Sequence, residues 1–278
     1  MRKFREEIYM ELRFSPLFSG SSGNAIYVGC DDAHILVDAG MSGNRVTGEL
    51  QRMGIDPKCL TAILVTHEHV DHIKGIGILS RKYDLPIYAT EGTWQGMYNK
   101  IGVVSEKNRI LFEPEQDFYI GSIDVTPFST PHDANQSVGF TFELHGAKLS
   151  IATDLGCIRE SWLKYVRGSH AVILESNYDP NMLTAGPYPY ELKKRIRSSH
   201  GHLSNDDAGH VAVELIRNGA SQIILGHLSK ENNFPELAMR TCELSLQMAG
   251  IEPHVDASIF VAKRDGATGM FSISCEMV

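Results

Sequence analysis

The amino-acid sequence predicts a mixed α/β fold, on three observations. Short β-branched runs alternate with turns and helical stretches along the whole chain. The segment Phe142–Ile151 reads as a hairpin, which a simple parallel sheet would not contain. Successive apolar runs also end on an ionisable residue, the place where open α/β sheets assemble their sites.

Taken in chain order, Leu12–Leu17 opens with a clean strand pattern, and Ala25–Val28 and His34–Asp38 are short apolar runs bounded by Asn, Gly and Asp. Asn44–Met53 carries Val46, Leu50 and Met53 at helical spacing. Ala62–Val65 is a buried strand, and Ile73–Tyr83 follows it as a helix through Ile76 and Leu79. Ile87–Ala89 is a strand after Pro86, and Thr93–Ile101 is a helix with Trp94, Met97 and Ile101 on one side. Ile123–Phe128, Gly139–Leu144 and Lys148–Ala152 alternate as strands do, the last two joined by a turn at His145-Gly146. Ala171–Leu174, Ile223–Leu225 and Ser258–Ala262 complete the strands. Tyr190–Ser198, Asn205–Asn218 and Pro235–Ala249 complete the helices, with Ser204 or Asn205 capping the second and Pro235 opening the third.

With 278 residues, 42% of them apolar, and no Pro/Gly/Ser linker, residues 10–278 read as one domain. Residues 1–9 read as a charged extension, or Met10 is the true start; the intact mass of native protein would separate the two. A net charge of -8 argues against indiscriminate nucleic-acid binding, although a local basic patch can still hold phosphates. Apolar stretches such as Ala62–Val65 and Ala171–Leu174 fall far short of the ~20 residues of a membrane span. Glu6 and Glu7 interrupt the basic N-terminus, so a secretory signal is not expected. Five scattered cysteines without a C-x-x-C pair read as reduced, mostly core thiols of a cytoplasmic protein.

The chemistry lies at the strand ends. Asp38, His67, His132, Asp154, Glu175 and His227 each follow an apolar run. The densest segment, His67-Glu68-His69-Val70-Asp71-His72, would arise by chance on the order of once per thousand such sequences. A solvent-exposed polar turn is the plainer reading, which the company of other strand-end ligands disfavours. With His132, Asp154 and His227 the inventory reaches five histidines and two aspartates, too many for one ion that keeps a position open and suited to two.

On these residues the chain resembles metallo-β-lactamase-fold hydrolases over nearly its whole length. The resemblance implies a four-layer αβ/βα sandwich with a dinuclear metal site between two mixed sheets. It further implies that His67, His69 and His132 hold the first metal and Asp71, His72 and His227 the second, with Asp154 bridging. Asp38 is expected to fix the loop or a ligand without touching metal, and Glu175 to accept a hydrogen bond from a ligand histidine. Two divalent ions would lower the pKa of a shared water and give an attacking hydroxide. Imidazole suits zinc, while the oxygen ligands leave manganese or iron compatible.

The segments Ser19–Asn24, Thr66–His72, Glu175–Asp179, His200–Asn205 and Gly226–Ser229 resemble most closely the YycJ/WalJ group of exonucleases within that fold. Three of them also resemble β-CASP nuclease motifs, but about 27 residues between Glu175 and His202 leave no room for that insertion. The resemblance implies a metal-dependent 5′-to-3′ DNA exonuclease, in DNA repair, acting on a 5′ end. The alternative is a hydrolase of a small cyclic phosphodiester, thioester or lactone on the same centre. Asp71, His202 and His200 are the catalytic candidates, with His202 ahead of His200 for contacting the phosphate or protonating the leaving oxygen. Ser21 and Ser22, in the loop that offers N–H groups and hydroxyls to a 5′-phosphate, and Lys193, Lys194, Arg195 and Arg197 are the substrate-binding candidates. A tight turn and a solvated helix face are the plainer readings of those two segments. Trp94, Tyr98 and Trp162 read as packing residues.

Overall fold

Two mixed β-sheets packed face to face, each covered by helices on its outer side, make up the computed structural model, which describes residues 10–275. The expected extension over residues 1–9 lies outside the described residues. In chain order the strands are β1 Met10–Phe18, β2 Ala25–Gly29, β3 His34–Val37, β4 Ala62–Leu64, β5 Ile87–Ala89, β6 Arg109–Leu111 and β7 Phe118–Ile120. They continue as β8 Ile123–Ser129, β9 Val138–Leu144, β10 Ala147–Ala152, β11 Ala171–Glu175, β12 Gln222–Gly226, β13 Ser258–Val261 and β14 Phe271–Cys275. The helices are α1 Gly43–Arg52, α2 Val70–Ile73, α3 Ile76–Tyr83, α4 Glu91–Met97, α5 Glu160–Val166, α6 Pro180–Ala185, α7 Tyr190–Ile196, α8 Asn205–Arg217 and α9 Pro235–Met248.

One sheet has the order β14-β1-β2-β3-β4-β5-β6 and the other β13-β12-β11-β10-β9-β8-β7. Within them β3 to β6 and β10 to β13 run parallel, and the remaining pairs are antiparallel. Inward-facing Phe14, Ile35, Phe140, Phe142, Leu149 and Ile173 fill the space between the sheets. On the outside of the first sheet α1, α3 and α4 pack through Val46, Leu50, Leu79 and Trp94. On the outside of the second, α5, α8 and α9 pack through Trp162, Val211, Leu215 and Leu246. The result is the four-layer αβ/βα sandwich.

Local chemistry sets the helix boundaries. Ser204 caps α8: its hydroxyl accepts from Asp207 N at 3.1 Å and the Asp207 carboxylate accepts from Ser204 N at 3.2 Å. Such a cap stabilises a helix by about 1 kcal/mol. The helix expected over Ile73–Tyr83 is instead broken, because Gly75 turns its N–H to Ala39 O at 2.7 Å. As a consequence Asp71 and His72 sit on their own short helix, α2, rather than ahead of one. The strands β6, β7 and β14 and the helices α5 and α6 were not expected from the sequence. Tyr98 is 69% exposed and does not pack, in contrast to Trp94 and Trp162. Of the four cysteines whose side chains are described, Cys30 and Cys242 are buried, but Cys59 is exposed and Cys157 only half-buried.

Candidate metal centre

The parallel strands of both sheets deliver their carboxyl ends to one rim, and the ionisable groups converge there. Asp38 leaves β3, His67 leaves β4, Asp154 leaves β10, Glu175 ends β11 and His227 leaves β12. Register reinforces this: Glu175 pairs with Gly226 across β11 and β12, which puts Glu175 beside His227. Asp38, Asp154 and His227 have φ of 60°, 59° and 56°, a left-handed conformation that L-residues adopt at a cost of about 1–2 kcal/mol. Three such residues at one rim mark a place where the chain accepts strain to aim side chains inward.

Two triads form. His67, His69 and His132 offer ring nitrogens that lie within 4.8 Å of one another, and so do Asp71, His72 and His227 with one carboxylate oxygen. His67 Nε2 stands 3.0 Å and His132 Nε2 3.3 Å from His69 Nδ1. Between the triads lies Asp154, with Oδ1 3.6 Å from His132 Nε2 and Oδ2 3.5 Å from His72 Nε2. Oδ1 also lies 3.5 Å from His227 Nδ1, so the carboxylate borders both triads. Asp154 Oδ2 and His227 Nε2 are buried without a hydrogen-bond partner, an arrangement that is costly in a protein interior unless a cation occupies the space they face. The donor set, imidazole nitrogens with carboxylate oxygens, fits divalent metal ions.

Around the triads a layer of acceptors holds the rings. Asp38 Oδ2 lies 2.8 Å from His72 Nδ1, and its Oδ1 accepts from Thr66 N at 2.9 Å. Glu175 is fully buried and takes four donors: His202 Nδ1 at 2.7 Å, His227 Nδ1 at 2.9 Å, Leu155 N at 2.8 Å and Leu203 N at 3.1 Å. Glu175 is therefore not a surface strand end. With Nδ1 occupied, His72 and His227 are left with Nε2 for the centre.

Charge in the cluster follows from this crowding. Burial pushes the pKa of His72 down, but Asp38, Asp154 and Asp71 outweigh it and raise it to about 9. Burial likewise opposes, and Asp154, Asp71 and Glu175 overcome, a rise of His227 well above the ordinary imidazole range. His67 goes the other way, held far below that range by burial and by the neighbouring imidazoles. Burial would raise Asp71 and Glu175, yet the adjacent histidines keep both below the usual carboxylate range. The field is thus negative at His72 and His227, which is the field a cation would answer.

Several residues that sequence reasoning did not single out also touch the centre. Asn24 Nδ2 lies 3.0 Å from His72 Nε2, Ser19 Oγ accepts from His227 N at 2.8 Å, and Asn177 Nδ2 donates to His227 O at 2.8 Å. Ser19 and Asn24 belong to the Ser/Gly loop, but nothing local tells the inward-facing Ser19 from the exposed Ser21 and Ser22. Gly40 is required by close approach, because a Cβ there would stand 1.6 Å from Asp71 O. Gly40→Ala is expected to cost about 1–3 kcal/mol and to weaken metal retention by displacing α2. Thermal melts with and without chelator check this; unchanged melting in both would count against it.

Residues 33–228 match the family described as Beta-lactamase superfamily domain. This chain belongs to the metallo-β-lactamase superfamily. Exodeoxyribonuclease YycJ of Bacillus anthracis is 40% identical to it over 241 residues, which cover 87% of this chain and 91% of YycJ. Exodeoxyribonuclease WalJ of Streptococcus pneumoniae is 38% identical over 263 residues, covering 94% of this chain and 98% of WalJ. Among solved structures, the metallo-β-lactamase-fold protein YhfI from Bacillus subtilis shares the fold, with a TM-score of 0.72 at 18% identity over 95% of this chain and 100% of YhfI.

In this superfamily member the remaining candidates divide. His202 is half-buried, with its ring centroid 5.1 Å from that of His132 and 5.3 Å from that of His227. His200 is exposed, its Nδ1 3.2 Å from Ser199 Oγ, and it lies outside the two triads. Arg195 does not stand free: it forms an ion pair with Asp133, next to His132, with Nη2 3.0 Å from Oδ1. Lys193, Lys194 and Arg197 line a cleft beside α7. Among the described residues no helix is long and apolar enough to cross a membrane.

Proposed function

We propose that this protein is a metal-dependent exodeoxyribonuclease that removes nucleotides from the 5′ end of DNA, with two divalent ions, zinc or manganese, in its centre and a role in DNA repair. The observation that carries the reading is identity of 38–40% over 87–94% of the chain with proteins named exodeoxyribonucleases. The convergence of all seven sequence-derived ligand candidates at one rim supports it.

In this reading His67, His69 and His132 would hold one ion and Asp71, His72 and His227 the other, with Asp154 between them. Bound there, the ions supply Lewis acidity toward the phosphate oxygens and make water a competent nucleophile at neutral pH. The chain's own residues do the rest. Asp38 and Glu175 orient the imidazoles. Glu175 also pins His202 through Nδ1, which leaves Nε2 to donate, as the imidazolium, toward the scissile phosphate or the leaving oxygen. Ser21 and Ser22, exposed on the loop whose ends hold His227 and His72, receive the terminal 5′-phosphate.

His202→Ala is expected to lower kcat about 10²–10⁴-fold with metal content unchanged, whereas His200→Ala, at the rim, lowers it by less. The reverse order would transfer the role to His200. The reading as a whole is tested by digestion of duplex DNA labelled at either end, with and without a 5′-phosphate, in manganese or zinc and in EDTA. Stepwise metal-dependent loss from the 5′ end is the expected result. Absence of digestion in any metal would move the reading to a small ester or phosphodiester.

A further inference from the structure

The segment between Glu175 and His202 folds as a helical hairpin, α6 and α7. It has its own small core, Tyr178, Leu183 and Ile196 with Tyr188 and Leu192 packed against it. Its far end is stitched to the metal-side loop: Gly201 O lies 3.1 Å from His132 Nδ1, Asp133 N donates to His200 O at 3.0 Å, and Arg195 pairs with Asp133. The C-terminal end of α7 is thus joined to the loop that carries His132.

Between α6 and α7 opens a cleft of about 640 Å³, lined by Thr184, Tyr190, Lys193, Lys194, Arg197 and Ser198. Three cations, two hydroxyls and one aromatic ring line it, and no carboxylate does. Lys193 Nζ donates to Thr184 O at 2.8 Å, and Arg197 Nη2 donates to Pro180 O at 3.2 Å and to the Thr184 hydroxyl. All of these acceptors are uncharged. Among the described residues, Arg195 alone of the four α7-segment cations is neutralised by an ion pair. On a chain of net charge -8, such a concentration of unbalanced positive charge favours a polyanion. Tyr190 stands at the first position of α7 with 75% of its surface exposed, a large aromatic area held beside those cations with nothing packed over it.

Cations spaced along a groove with an exposed ring is the arrangement that binds single strands, where phosphates meet the charges and unpaired bases stack. We infer that this cleft receives a single strand of DNA on its way to the centre: Lys193, Lys194 and Arg197 meet its phosphates and Tyr190 stacks on an unpaired base. The inference rests on the DNA reading above and adds that the strand engaged beside the centre is unpaired. A base inside a duplex is stacked on both faces, so a duplex must fray for the strand to run along the cleft with its bases free to stack.

The test is fluorescence anisotropy of a short labelled oligo(dT), its terminal linkages phosphorothioate to resist digestion, with the metal-loaded protein over a range of salt. Tyr190→Ala is expected to weaken binding about fivefold or more, and Tyr190→Phe to restore it. Tyr119→Ala, an exposed tyrosine on the edge strand β7, serves as the control that binds as wild type does. Replacing Lys193, Lys194 and Arg197 together by Gln is expected to flatten the slope of log affinity against log salt by about two. Tyr190→Ala binding like wild type, Tyr190→Phe losing as much as Tyr190→Ala, an unchanged salt slope, or wild type failing to bind would each overturn the inference. Wild type that binds oligo(dT) but digests no DNA would remove the exonuclease reading and leave the cleft. Wild type that digests DNA while Tyr190→Ala binds normally would do the opposite.

Discussion

Asp154→Asn is expected to cost at least about a thousandfold in kcat/KM on DNA, or about 4 kcal/mol of transition-state stabilisation, while the protein stays folded. Asp154 is 2% exposed and borders both triads, within 3.6 Å of His132, His72 and His227 ring nitrogens. Asn keeps the shape and tolerates the φ of 59° at that position, so the backbone has no reason to move. What it removes is one negative charge and one of two equivalent acceptors, at the point where both ions would be joined. Metal content measured on the same preparation is expected to fall with activity. An Asn variant that digests DNA within tenfold of wild type would show that Asp154 does not join the two halves of the centre.

Glu175→Ala is expected to be the most destabilising single change at the site, by about 3–5 kcal/mol, because it strands several buried donors at once. His202, His227 and the N–H groups of Leu155 and Leu203 all converge on this carboxylate. Glu175→Gln keeps the volume and one acceptor; it should lose less stability and still lose about 10–100-fold in metal affinity or activity. The pH dependence has a definite sign. Burial alone would raise the Glu175 pKa, but His202 and His227 hold it below its value of 4.5 in an unfolded chain. Its stabilisation is therefore complete above about pH 4.5 and lost as acid titrates the folded carboxylate below that value. Chemical denaturation of wild type and Ala variant should show a gap that closes as the pH falls below about 4.5 into strong acid. A gap that widened on acidification below about pH 4.5 would contradict the ion pairing of Glu175.

Legibility of this structure in its sequence follows burial. The central strands β3, β4, β11 and β12 are continuous β-branched runs because both faces are covered, and such runs are readable without context. The three unforeseen strands, β6, β7 and β14, are all sheet edges. Edge strands such as Arg109–Leu111 and Phe118–Ile120 are half exposed, and their apolar signal is correspondingly weak. The helices α5 and α6 have 7 and 6 residues, less than two turns each, too short for periodicity to emerge. The break in Ile73–Tyr83 depends on Ala39 and Met41, which approach Gly75 only after folding.

At the site the same division holds. The ligand candidates are legible as a set because they lie past strands that sequence pattern reveals, whereas their grouping into two triads is what the family resemblance implies. Contacts that depend on loops meeting across the rim are not. The ion pair of Arg195 with Asp133 spans 62 residues, and the bond of Ser19 to His227 spans 208. No spacing rule connects such positions.

The most direct measurement is DNA digestion by chelator-stripped protein as manganese or zinc is restored in measured equivalents. If two ions held by His67, His69, His132, Asp71, His72, Asp154 and His227 carry the reaction, digestion is absent without metal and rises until two equivalents are bound. Digestion that persists in excess chelator, or that is complete with one bound ion, would contradict a two-ion centre as the seat of activity.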